Sequence, residues 1–365
     1  MILSAIGAVM VVDVHSWTAL GPLTNYLPYN SFFMQMFVFI SGYFFVYSDD
    51  MKLGTYIKKK SLKMLLPYYI WWCIYGFIVW FFKEFTTVNI GDDFSLRHLI
   101  LGPWLSGEDW EFNSPSWFVS PLFLIQVIYM LMRKLCKNYW NDWIAAIAFV
   151  ILEIAAMYIE VYHGPVPECA NIFRVMAMLI YYQLGVLYRK YFEQGFRKTG
   201  GLAVCSFCVL AGCILVNIFG NTEFYFNKME WRIPETANHT IVSLVLPIVT
   251  AVIGIAFWLK VCQYLEPILG ENRLVNFISN HTFEIMMNHA FCMWAANWLL
   301  VLNQDRIFAM DPEFAMYAIY TFAWFRWEGL PQTYLFYFIF GLFGSLLIAY
   351  ISDIVKKRIH MLKRA

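Results

Sequence analysis

Along this 365-residue chain the apolar residues fall in long runs separated by short polar breaks. A helix needs about 20 mostly apolar residues to cross a bilayer. Ten runs of roughly that kind can be marked, at 2–20, 31–48, 67–83, 116–132, 140–160, 172–188, 200–219, 239–259, 274–302 and 331–352. The ninth is long enough to begin as an interfacial segment near Asn272. An even count puts both termini on one side. The pattern predicts an all-α integral membrane protein, a bundle of about ten transmembrane helices over a single domain, 1–365.

The charges give that bundle an orientation. The tail carries Lys356, Lys357, Arg358, Lys363 and Arg364, so both termini are expected to be cytoplasmic. With that choice, 19 Lys and Arg fall in inside segments and 6 in outside segments, with Arg174 left near one face. Acidic residues such as Asp92, Asp93, Glu108, Asp109 and Glu111 gather outside. The basic run Lys58-Lys59-Lys60 suits an anchor beside anionic lipid, or a hold on an anionic cytosolic donor. Trp71, Trp72, Trp104 and Trp110 near run ends have the look of interface belts. No cleavable leader is expected, since Met1 leads straight into an apolar run.

Composition agrees with the pattern and excludes other classes. Hydrophobic residues make up 61%, aromatics 20% and charged residues 14%. A soluble domain carries about 25% charged residues, and one or two aqueous cores could not hide this much apolar surface. A soluble enzyme, a nucleic-acid binder and a disordered regulator are excluded. Cys205 and Cys208 have C-x-x-C spacing, but no second ligand pair follows, so no metal site is expected.

Ionisable groups inside spans are costly and are functional candidates by default. They are Asp13, His15, Glu153, Arg174, Glu284 and His289, with Asn288, Gln183, Gln126 and Ser41 nearby. At 1.5 Å per residue, His15 lies about 20 Å up its span, Glu153 about 20 Å and His289 about 25 Å. Arg174 sits near the outer end of its own span. These four are expected to meet at one level in the outer half. His281, Glu284 and Asn288 form one stripe, with His289 about 100° away. Asp13 and His15 differ by about 200°, so they cannot both face one pocket. Each group also has a structural reading: a membrane histidine often donates to a nearby backbone, and Arg174 can snorkel. Nucleotide-loop, nucleophile-elbow and H-E-x-x-H motifs are absent.

Several segments resemble the acyltransferase-3 family of membrane acyltransferases. They are Val-Val-Asp-Val-His15-Ser16, the Phe-rich Phe33–Phe45 run into Ser41-Gly42-Tyr43, and Ser116-Trp117-Phe118-Val119. Arg174 followed by Tyr181-Tyr182-Gln183-Leu184-Gly185, and Thr282-Phe283-Glu284-Ile285 leading to Asn288-His289, complete the set. The subgroup most similar is fucose 4-O-acetylase-like and modifies surface polysaccharide. The resemblance implies a bacterial cytoplasmic-membrane enzyme. Its donor would be cytosolic acyl-CoA, acetyl-CoA first, and its acceptor a sugar hydroxyl on a cell-surface or lipid-linked glycan, with no metal and no nucleic acid involved. In that reading His15 is the general base or a transient acyl carrier, and His289 a second acid/base or a positioning group. Glu153 or Glu284 orients an imidazole, and Arg174 offsets oxyanion charge. Asn288, His281, Ser41, Trp117 and Tyr182 are candidates for substrate contact, the aromatic pair by stacking. The chain departs from the family in carrying no basic residue before His15, and from the subgroup in having Phe33 and Asn288 where histidines are usual. An inactive member, a proton-coupled exporter of an organic anion or sugar-lipid, and the Asn/His type of membrane O-acyltransferase are the competing readings.

Overall fold

The computed structural model describes residues 1–18, 23–86, 91–163, 169–220, 222–226, 230–231, 241–309, 326–327 and 329–362. Lys228, Arg232, His239, Lys363 and Arg364, used above for orientation or set aside as solvated, lie outside the described residues, as do the side chains of His163 and His360.

The apolar runs become helices, and the breaks between them follow local chemistry. Helices α1 (Ile2–Ser16) and α2 (Phe33–Tyr43) are short. Helix α3 (Leu53–Phe85) contains a π turn at Ser61–Leu65. That turn sits just before Pro67, whose ring and missing N–H disturb the preceding turn of a helix. A 3-10 segment, Glu111–Phe118, carries Pro115 and a kink at Asn113 before α4 (Val119–Cys136). Then come α5 (Asp142–His163), α6 (Ala170–Leu187), α7 (Gly201–Phe219) and α8 (Ile241–Leu269). A small antiparallel hairpin, β1 (Phe224–Tyr225) and β2 (Glu230–Trp231), stands between α7 and α8. Asn272 caps α9 (Arg273–Asn280) by accepting from the Leu274 and Val275 N–H groups at 3.0 and 3.1 Å. The chain breaks at His281 and continues as α10 (Thr282–Val301) and finally α11 (Tyr334–Leu362).

Among the described residues, seven helices are long and apolar enough to cross a membrane. Three of the ten expected runs fall short of that standard for physical reasons. Run 2–20 stops at Ser16, because Trp17 takes a left-handed conformation. Run 31–48 forms only 11 helical residues, since Phe44 leaves helical geometry. Run 274–302 is divided at His281 and carries Glu284, Asn288, His289 and Asn297 on α10. The protein is a helical, multi-pass membrane protein.

Helix α1 is the wall between two cores. It packs against α2, α8, α9, α10 and α11. Leu3, Met10 and Val11 belong to a core built with α2 and α4–α8. Ala5, Ala8 and Val12 belong to a second core, with α3, the 3-10 segment, α10 and α11. The small side chains of this second face let α10 and α11 approach closely. The first core is locked where α2 crosses α6. A side chain at Gly42 would run into the Tyr182 carbonyl, and one at Gly185 into the Phe39 carbonyl.

Candidate active site

Helices α1 and α10 each bring one imidazole to the same place. His15 lies half-buried in the last turn of α1, and His289 is fully buried on α10. Their ring centroids are 4.8 Å apart at 48°. His289 Nε2 lies 3.1 Å from His15 Nδ1. Each Nδ1 also lies 2.8 Å from a carbonyl one turn earlier, Val11 for His15 and Ile285 for His289. A carbonyl oxygen only accepts, so both Nδ1 atoms carry the proton when the rings are neutral. His289 Nε2 is then a lone pair and takes a share of the His15 Nδ1–H. The lone pair of His15 is left on Nε2. This is the geometry of a base braced by a second imidazole. A proton gained at His15 Nε2 gives a cation whose Nδ1–H already points at the His289 lone pair.

The backbone under His15 is braced separately. Trp17 ends α1 with φ 59°, a conformation that costs a bulky residue on the order of 1–3 kcal/mol. Arg326 holds it there. Its Nε donates to the His15 carbonyl at 2.5 Å, and its guanidinium carbon lies 4.0 Å over the Trp17 ring. Ser16 Oγ donates to the Asp13 carbonyl at 3.0 Å, so side chains take two of the carbonyls that a helix end leaves open. Sequence reasoning counted Arg326 only as an outside charge. The available signal was an arginine between aromatic residues, Phe325-Arg326-Trp327, and it is weak. Arg326→Gln is expected to lower any His15-dependent activity about tenfold, with Arg326→Lys recovering only part, because an ammonium lacks the planar face that lies over Trp17. A rate ratio on membranes at matched expression checks this.

Asn288 fixes α10 against α3. Tyr75 donates to Asn288 Oδ1 at 2.5 Å, and Asn288 Nδ2 donates to the Glu284 carbonyl at 2.7 Å. The residue beside His289 is therefore tied on two sides.

The expected meeting of four ionisable groups is reduced to the two histidines. Glu153 is fully buried on α5, but its Oε1 accepts from Tyr181 of α6 at 2.6 Å. Glu284 does face an imidazole, but that of His281, at 3.6 Å, in a cluster with Lys356 and Asp353 at the α9–α10 break. A backbone carbonyl holds the Nδ1 of His15 and another that of His289. The reason is local: an Nδ1 on a helix reaches the carbonyl of its own preceding turn.

Arg174 is engaged with the loop that precedes the 3-10 segment. It donates to the Ser106 carbonyl at 2.6 Å and to Asn171 at 3.0 Å, pairs with Glu108 at 3.1 Å, and lies 4.5 Å over the Trp117 ring. Trp117 is accordingly a platform for Arg174. Arg174→Gln is expected to cost about 2–3 kcal/mol of stability, because it frees buried partners while the part-exposed Glu108 recovers water. A melting-temperature drop in detergent measures it. Tyr182 packs on Tyr129, ring centroids 4.6 Å apart, and Ser41 is half-buried beside the Gly42 crossing. Asp13 faces away from the histidine pair, as its helical phase requires. It lines an apolar cavity of about 270 Å³ with Tyr29, Trp258, Val275 and Ile278.

Fold and site together define a class: a multi-pass membrane protein with a tautomer-fixed histidine pair between its first helix and a late one. The acyltransferase-3 profile, described as an acyltransferase domain, matches residues 2–354, and the chain belongs to that family. It is a membrane acyltransferase. Neither a curated protein nor a solved structure matched the chain.

Proposed function

We propose that the chain is an O-acetyltransferase of the fucose 4-O-acetylase-like kind, working in a bacterial cytoplasmic membrane. It crosses about ten times with both termini in the cytoplasm, as the distribution of Lys and Arg supports. It takes an acyl group, acetyl first, from cytosolic acyl-CoA and places it on a sugar hydroxyl of a surface or lipid-linked glycan. The observation that carries this reading is the His15–His289 pair. A sugar hydroxyl is a weak nucleophile near neutral pH and needs a base in hydrogen-bond reach. His15 Nε2 takes the hydroxyl proton as the oxygen attacks the thioester carbonyl. A C–O bond forms, the C–S bond breaks, and the proton passes to the departing thiolate. His289 Nε2 accepts from the His15 Nδ1–H throughout and holds the ring.

The test is transfer in membranes. Wild type and His15→Ala are expressed in a host lacking surface acetylation, and labelled acetyl-CoA is supplied. Base-labile label on envelope glycan is expected with the wild type only. Equal labelling by the variant removes His15 from the base role.

A further inference from the structure

The helices that carry the two histidines are both seated against a third. Helix α11 packs on α10 and on α1. A Cβ at Gly341 would lie 2.6 Å from Met293 Cε and 3.1 Å from Val12 Cγ1, so the glycine lets one turn of α11 touch both helices at once. Met293 stands one turn after His289, and Val12 one turn before His15. The spacing of the imidazoles is therefore set partly by how α11 sits.

One turn before Gly341, on the same face of α11, the hydroxyl of Tyr337 fastens that seat. It donates to Asn297 Oδ1 of α10 at 2.6 Å and accepts from the Trp327 N–H at 3.0 Å. A side-chain amide oxygen only accepts and a backbone N–H only donates, which fixes both directions. Trp327 follows Arg326, whose Nε holds the His15 carbonyl at 2.5 Å. The links close a circuit: His15 to His289, Asn297 of α10 to Tyr337, Tyr337 to Trp327, and Arg326 back to His15. Tyr337 is 0% exposed, Asn297 1% and Arg326 3%, so their bonds form in the low-dielectric interior, where each is stronger than in water. The same turn of α11 also meets the end of α1, where Tyr334 stands edge-on to Trp17 with ring centroids 6.1 Å apart.

We infer that Tyr337 is a positioning residue for the transfer, its hydroxyl setting the separation of His15 and His289; the inference rests on the transferase reading above. The contact it governs is sensitive to distance. His289 Nε2 and His15 Nδ1 are 3.1 Å apart, near the long end of an N–H hydrogen bond, and a further ~0.5 Å would leave the His15 Nδ1–H to the Val11 carbonyl alone. Without the hydroxyl, Asn297 and the Trp327 N–H lose their common partner. The Arg326 segment can then drift from α10 and take the end of α1 with it. Tyr337 acts through Asn297 on one side and Arg326 on the other.

The first test needs no substrate. Purified full-length protein with isotope-labelled histidine is read by NMR in detergent. A coupling across the hydrogen bond from His15 Nδ1 to His289 Nε2 is expected in the wild type, and its loss in His289→Ala assigns it. Tyr337→Phe is expected to weaken that coupling at least about twofold. The second test is kinetic, on membranes supplied with labelled acetyl-CoA and the host's envelope glycan. Tyr337→Phe is expected to lower kcat roughly tenfold, with the KM for acetyl-CoA within about twofold of wild type. In a His289→Ala background the same substitution is expected to change kcat by less than about twofold, since no pair remains to be spaced. Asn297→Leu breaks the same link from the other side and gives the same readouts if Tyr337→Phe expresses poorly. A loss that persists in full without His289 means that the tyrosine serves the fold at large, and it overturns the inference. So does a coupling that is unchanged in both variants or absent from the wild type. If the wild type transfers no acetyl group, the transferase reading falls, and the coupling alone decides on Tyr337.

Discussion

His15→Ala should lose acyl transfer by roughly 10²–10⁴-fold, the usual value of a positioned general base. His289→Ala should lose less, because the base itself remains and only its brace is gone. The two losses should not add. The His15 Nδ1–H is shared between Val11 O and His289 Nε2, so once His15 is absent His289 has nothing to brace, and the double variant should match His15→Ala. His289→Gln offers a carbonyl acceptor on a side chain of similar reach and should recover part of the loss. Initial rates on membranes, with each variant's expression quantified, check all three statements. Additive losses would mean that the histidines act in separate steps.

Gly185→Leu should prevent folding. Gly42 and Gly185 approach each other's helices so closely that a side chain at either meets backbone, not a mobile side chain. Backbone cannot step aside, so the penalty exceeds the ~1–3 kcal/mol of ordinary overpacking. Gly185→Ala is the milder probe and should already lower the melting temperature by several degrees. No stable monodisperse protein is expected from Gly185→Leu, and size-exclusion chromatography of the extracted protein reads this directly. The Ser-Gly-Tyr and Tyr-Tyr-x-x-Gly segments behind the family resemblance therefore meet as two sides of one helix crossing.

Hydrophobicity made the bundle legible in the sequence, because burial in lipid writes itself as long uninterrupted runs. The helix of Gly201–Phe219 follows its run of 200–219 almost to the residue. Helix ends were less legible. Trp17 and His281 interrupt helices without any glycine or proline to announce it, and tertiary contacts, Arg326 in the first case, hold those conformations. The histidine pair was legible because depth along a straight helix is simple arithmetic. Glu153 and Arg174 obeyed the same arithmetic and still found other partners. Depth fixes height in the membrane but not which neighbour a helix turns its face toward, and Tyr181 and the loop carbonyl of Ser106 were nearer. Arg326 was out of reach for a related reason. Its contacts with the His15 carbonyl and Trp17 join segments far apart in the sequence, which no periodicity records.

The division of α1 between two cores sets an order of assembly. The first core needs α2 and α4–α8, all made soon after α1. The second needs α10 and α11, the last parts of the chain to be synthesised. A nascent chain stopped after α8 would hold one face of α1 in place and leave its other face without α10 and α11, with His15 present and His289 missing. The histidine pair therefore forms only once the last helices have been made.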